Sequence, residues 1–427
     1  MIQQTLGKPR IWNLNDILRE EEVGPTIIDI EQSLGLLGGF FDDMNPNMDE
    51  GRFSEFLKFY EKLKEEILRL KRRFKLELDA DRDSQRAGSY KARAESFEER
   101  LEAGFVPIKR WLMGLDVEGK SVLDDKNAER LFETRPDLKY FLDRIRGYRQ
   151  HALPVEVEKE RVHTNNVFIT ALEDIRRDKT AGFKFNLGAN EEGVTQDELL
   201  SYIRSSDANK RRIAYIEFLK RYEKERIALF IPYQAGIRDR IHEAKQRGFS
   251  SAISFWAHEN HLSDETVNNL FEVCKKNFNV FWPHFLWKSR KLGNEPGQPL
   301  SRFDMYAPVK NLGDRMPNYD EAEQAVLRIL SEFYEEFGDM AKRIVDAGHI
   351  DSHPRHGKSG VFSCWNIGQG IVPYVFFNFD NTYDSESRLA HELGHGIHFL
   401  CAQNNSILTQ EASPPLEEIA ATFFETV

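Results

Sequence analysis

The stretch Leu389-Ala390-His391-Glu392-Leu393-Gly394-His395-Gly396-Ile397-His398 decides how the chain is read. Asp384 or Ser385 upstream can cap a helix beginning near Glu386. On that helix His391 and His395 lie about 40° apart around the axis and one turn apart along it, so both imidazoles reach one metal ion from the same face. Glu392 stands beside the ion and not on it, where a carboxylate can take a proton from an attacking water. Two neutral imidazoles and a carboxylate base at this spacing are the H-E-x-x-H pattern of hydrolytic zinc sites. In a chain of 427 residues the bare pattern arises by chance roughly once or twice in a hundred sequences, so its surroundings must support it.

A catalytic zinc of this class needs a third protein ligand. Glycine at 398 and histidine at 401 would supply it from the same segment, but those positions hold His398 and Cys401. The alternative is a glutamate from a following helix. Ser413-Pro414-Pro415 reads as a helix start, with Ser413 as its cap. Glu417 and Glu418 come next, and Glu418 lies far enough beyond His391 for a turn and an antiparallel return. Periodicity favours Glu418 over Glu417 if Ala421, Thr422 and Glu425 share its face, because small residues let the second helix pack closely. Glu425 then becomes a candidate partner for a ligand imidazole. His398 is about 20° around the axis from His391 but about 10 Å along it, so it is read as supporting the ligands or facing substrate. His349, His353 and His356 form a weaker second metal candidate in a loop, and Cys401 reads as a small apolar residue.

Upstream of the motif the pattern changes at His349. Residues 361–365 and 374–379 are β-branched and aromatic and predict two short strands in an otherwise helical protein. Residues 320–347 predict one long helix. Residues 300–308 read as short and extended, and 292–299 as a loop. Helical patterning runs from Thr195 to about Arg290, with turns near Arg247-Gly248 and at 261–264. The glycine-rich segment 180–193 reads as a boundary, which divides the chain into an N-terminal helical domain, 1–185, and a second domain, 186–427, that carries the motif. In the first, Phe56, Tyr60, Leu63, Ile67, Leu70 and Phe74 recur at three or four and predict a long helix with one buried stripe.

Composition excludes several classes. Hydrophobic residues make up 40% and charged residues 30%, with 12% aromatics, which fits neither a disordered chain nor a membrane-embedded one. The formal net charge of −11 argues against a nucleic-acid partner. Three widely spaced cysteines, Cys274, Cys364 and Cys401, exclude a disulfide scaffold and favour a reducing compartment. Residues 1–16 show no signal-peptide pattern, and no apolar run approaches a membrane span. A cytoplasmic protein is expected.

The run from Gly360 to Glu425 resembles the thimet-oligopeptidase family of zinc peptidases, most closely its oligoendopeptidase F branch. The resemblance is carried by Gly357-Lys358-Ser359-Gly360, by Pro373-Tyr374-Val375-Phe376-Phe377-Asn378-Phe379, by the H-E-x-x-H run extended with glycine and His398, and by Glu418-Ile-Ala-Ala421-Thr422-Phe-Phe424-Glu425. Stretches at 302–308 and at Arg247-Gly248-Phe249 are similar as well. The resemblance implies a mainly α, two-lobed fold with a deep substrate channel and a small β-sheet beside the metal helix. It implies one zinc held by His391, His395 and Glu418, with Glu392 as base, in an endopeptidase acting on short peptides. Segments near Phe362 and at 374–378 would form the sheet beside the channel, with Tyr374 and Asn378 near substrate. A related exopeptidase, dipeptidyl or carboxypeptidase, and a non-catalytic peptide-binding homologue are the alternatives. The family pattern has Ser and Asn where this chain has Ala421 and Phe424. It also continues beyond the point at which this chain stops, so the C-terminal part of the catalytic domain is expected to be missing.

Overall fold

The structure, a computed structural model, describes residues 10–165, 170–188, 192–309, 317–360 and 362–427. It is mainly α-helical with one small sheet, and the chain forms two compact units: Met1–Val167 with Pro317–Val427, and Phe168–Met316.

In the first unit the expected long helix spans Glu50–Ala80, started by Asp49, whose side chain accepts from the Arg52 N–H at 3.0 Å. All six residues of the predicted stripe are buried. They pack on the helix Gln85–Leu112, where Phe105 stacks on Tyr60 at 4.3 Å. The charged residues between them lie on the other faces, as amphipathic periodicity requires.

Three short strands follow: β1 (Ile350–Asp351), β2 (Ser363–Trp365) and β3 (Tyr374–Phe376). Their order is β1-β3-β2, with β1 parallel and β2 antiparallel to β3. Two strands were expected; β1 is too short to leave a periodic signal, and Val361 lies outside the described residues. Alternation along β3 divides its side chains between two cores. Tyr374 and Phe376 join the core of the N-terminal helices, while Val375, with Phe377 and Phe379 beyond the strand, joins the core of the motif helix.

The loop between β1 and β2 is pinned by Lys358, whose side chain is 1% exposed. Its ammonium donates to the carbonyls of Asp351, His353 and Phe377 at 3.2, 3.0 and 2.6 Å and lies 2.8 Å from the Asp351 carboxylate. Burial draws its pKa down to about 8, against the pull of Asp351. Lys358→Met would take one donor from each of three carbonyls, of which Asp351 C=O keeps the Phe377 N–H, and Arg355 would still pair with the Asp351 carboxylate. We expect a loss of about 3 kcal/mol or more, measured by urea unfolding at pH 7.

The predicted single helix over 320–347 is two, Tyr319–Phe333 and Glu335–Asp346, broken at the extended Tyr334. A Cβ on Gly338 would lie 1.9 Å from Ser331 Oγ, so glycine is what lets the second helix fold back on the first. The motif helix spans Tyr383–Ala402. It starts earlier than expected, because Thr382 caps it by accepting from the Ser385 N–H at 3.1 Å. The closing helix spans Pro414–Thr426 with Ser413 at its cap position, although the Ser413 side chain makes no capping bond.

The second unit is a set of helices around a small core of Phe183, Phe185, Leu199, Ile203 and Ala214. Phe185 and Val194 exchange backbone hydrogen bonds there. The division at 185/186 read from the sequence runs between these two partners. The helix Arg226–Gln246 ends at Gly248, φ +76°, with Gly248 N–H donating to Lys245 C=O and Phe249 N–H to Ala244 C=O. That is a Schellman end, which accounts for Arg247-Gly248-Phe249. Residues 302–304 form a 3-10 turn where an extended stretch was expected, held by an ion pair from Asp304 to the buried Arg211.

Candidate metal centre

Two glycines bring the motif helix close to its neighbours. A Cβ on Gly394 would sit 3.0 Å from both Ala421 Cα and Phe424 Cδ2 of the closing helix. One on Gly396 would sit 2.5 Å from Ile344 Cδ1 and 3.6 Å from Cys364 Sγ. The two departures from the family pattern, Ala421 and Phe424, therefore form the close contact, and both are buried.

That contact sets the register of the glutamates. His391 Nε2 lies 3.5 Å from Glu418 Oε2, and His395 Nε2 lies 3.8 Å from Glu418 Oε1. The imidazoles stand nearly perpendicular, with centroids 5.0 Å apart. Among the described residues these three form the one group of histidine, cysteine and acidic side chains close enough to hold a metal, their ligand atoms all within 4.8 Å of one another. A tetrahedral zinc with bonds of about 2.0–2.1 Å spaces its ligand atoms about 3.3–3.5 Å apart, and the two imidazole–Glu418 separations, 3.5 and 3.8 Å, come close to that spacing. Glu417, the rival, is not part of that group, and burial, with Glu411 and Glu418 nearby, pushes its pKa up to about 6.

His391 Nδ1 donates to Glu425 Oε2 at 3.1 Å, and Glu425 Oε1 accepts from Ser387 Oγ at 3.2 Å. The carboxylate fixes the proton on Nδ1 and leaves the Nε2 lone pair facing Glu418. Burial lowers the pKa of His395, against the pull of Glu418, which favours the neutral ring.

Glu392 is 5% exposed, and its Oε2 is buried without a hydrogen-bond partner among the described residues. Burial first and the Glu418 charge second push its pKa up to about 8, with Arg388 opposing. An orphaned carboxylate oxygen beside a second carboxylate is the environment that a divalent cation relieves.

The remaining candidates are less central. His398 is half-buried, with Nδ1 unpartnered among the described residues and its pKa lowered by burial. Asn378 donates to the Ser359 carbonyl at 2.9 Å and anchors the loop. Tyr374 is fully buried, donates to the Asn13 carbonyl at 2.6 Å and stacks on His349 at 3.9 Å. It lies on the β3 face turned toward the N-terminal helices, so it cannot contact substrate as expected. His349 bonds to Val372 and Asp16 and His353 to Ser352, and among the described residues no metal group forms around them. Arg388, whose guanidinium lies 4.2 Å above the Phe362 ring, is a charged neighbour of Glu392 that sequence reading missed. Its spacing, one turn before Glu392, was the available signal.

This is the fold of helical oligoendopeptidases. Oligoendopeptidase F from Enterococcus faecium superposes with a TM-score of 0.62 at 18% identity, covering 96% of this chain and 67% of that one. Residues 201–426 match peptidase family M3, and the chain belongs to that family. Curated relatives include the group B oligopeptidase PepB of Streptococcus agalactiae, 23% identical over 314 residues, covering 71% of this chain and 51% of that protein. An oligoendopeptidase F homologue of Lactococcus lactis is 23% identical over 308 residues, covering 71% and 49%. The resemblance to the oligoendopeptidase F branch is thus borne out. The chain spans about half the length of these curated relatives. Among the described residues no helix is long and apolar enough to cross a membrane.

Proposed function

We propose that this chain carries the metal centre of a zinc endopeptidase that cleaves internal bonds of short peptides. His391, His395 and Glu418 would hold one zinc, and residues 186–427 would form the catalytic domain, with 1–185 as its helical N-terminal partner. The observation that carries this reading is the convergence of the three ligand atoms from two helices. When bound, zinc would polarise the scissile carbonyl and acidify the attacking water. Glu392 would take the proton of that water on its orphaned Oε2. Glu425 would keep His391 in the tautomer that offers Nε2, and His398 would line the site. Three free cysteines support a cytoplasmic location, and the acidic charge supports peptides and not nucleic acid as partners.

The test is zinc per chain by elemental analysis, followed by cleavage of peptides blocked at both ends. One zinc and cleavage of blocked peptides are expected. Cleavage of free-ended peptides alone would point to an exopeptidase. Zinc absent from the purified chain, and not taken up on titration, would overturn the site.

Glu425→Ala removes the partner of His391 Nδ1. It is expected to weaken zinc affinity about 10–100-fold, read by competition with a chromogenic chelator. Unchanged affinity would reduce Glu425 to a surface residue.

A further inference from the structure

Arg72 lies on the helix Glu50–Ala80 with its side chain 18% exposed. Its guanidinium sits 4.1 Å above the Trp365 ring, and Lys75, paired with Asp79, lies 5.5 Å from the same ring. Among the described residues the ion partner of Arg72 is Glu411, at 3.7 Å, and its Nε is buried with no acceptor. That separation is beyond hydrogen-bond length. The indole N–H of Trp365 is likewise buried with no acceptor. A guanidinium has five N–H donors in a fixed fork, and leaving them dry and unpaired is costly. Burial already draws the Arg72 pKa down. The patch is rich in donors and short of acceptors, and a planar carboxylate matches such a fork.

Its place in the fold gives the patch a use. Trp365 ends β2, an outer strand of the sheet. The preceding residue, Cys364, approaches Gly396 between His395 and Ile397 of the motif helix. On the other side, Arg72 is close enough to interact electrostatically with Glu417, next to the ligand candidate Glu418. An extended peptide laid along the open edge of β2 advances about 3.3 Å per residue and passes Trp365 toward Arg72. Glu411 is 54% exposed and stands 3.7 Å from Arg72, beyond hydrogen-bond length, so an incoming carboxylate competes only with this long ion pair.

We propose that Arg72, braced on Trp365, receives a carboxylate of a peptide lying along the outer edge of β2, either the C-terminal group or an Asp or Glu side chain. This rests on the peptidase reading above.

The test uses the full chain as the zinc-loaded Glu392→Gln protein, so that peptides bind uncut. A heptapeptide is titrated by calorimetry with its C-terminus free or amidated, and with Glu or Gln at interior positions. One carboxylate source is expected to tighten binding about tenfold. The preference should vanish in Arg72→Gln and shrink in Arg72→Lys, which keeps the charge without the fork. An equal preference in Arg72→Gln, or none in either arm while the amidated Gln peptide binds, overturns the proposal alone. If Arg72→Gln loses its zinc, an undiminished preference in Arg72→Lys overturns it. Failure of every peptide to bind overturns the peptide reading itself and this proposal with it.

Discussion

The Glu392→Gln protein is expected to retain one zinc per chain and to cleave peptides about 10²–10⁴-fold more slowly. The substitution is nearly isosteric in a helix interior, at a side chain 5% exposed, so packing should survive. What is lost is the ability to accept a proton. Glu392 Oε2 makes no hydrogen bond among the described residues, so no structural contact explains its burial. Burial and Glu418 raise its pKa to about 8 without a metal, and a bound cation would bring it down toward the range of a working base. Single-turnover cleavage of a blocked peptide, with zinc measured in parallel, gives the comparison. Turnover unchanged from the parent would place the base elsewhere.

The second large effect is expected from His395→Ala. Removing one of three protein ligands should take zinc from about one per chain to nearly none after dialysis against a weak chelator. His395 contributes an imidazole whose pKa burial lowers, and its ring stacks on Phe399 at 6.4 Å. No neighbouring histidine replaces it, since His398 lies one turn further along the helix. The fold should remain, because the close packing of the two helices runs through Gly394, Ala421 and Phe424, while the His395 imidazole adds only its 3.8 Å approach to Glu418. A variant that kept its zinc would show that the trio is not the metal site.

The zinc ligand candidates were legible because their geometry is local. Four residues on a helix determine that His391 and His395 share a face, and the helix start at Pro414 determines the register of Glu418. The small residues expected on its face proved to include the contact point, Ala421 against Gly394. The aromatic stripe of the first long helix was legible for the same reason. What escaped depended on partners distant in sequence. Alternation showed that Tyr374 and Val375 face opposite ways, but not which face meets the motif helix. The break at Tyr334 was hidden by helical residues on both sides; only Gly338 marks the close approach that requires it. Arg72 sits in a charged run whose ordinary reading is a solvated face, and only Trp365, far along the chain, distinguishes it. The pairing of 1–167 with 317–427 in one unit leaves no trace in composition.

That discontinuous unit has a consequence for biosynthesis. The helices Glu50–Ala80 and Gln85–Leu112 leave the ribosome long before Tyr374 and Phe376, which complete their core. Roughly 260 residues separate Leu112 from Tyr374, a delay on the order of tens of seconds at about 5–20 residues per second. Through that interval part of an aromatic-rich core lacks its final cover. Nascent chains stalled before residue 350 should therefore bind holdase chaperones through their N-terminal helices, and release should follow emergence of β3.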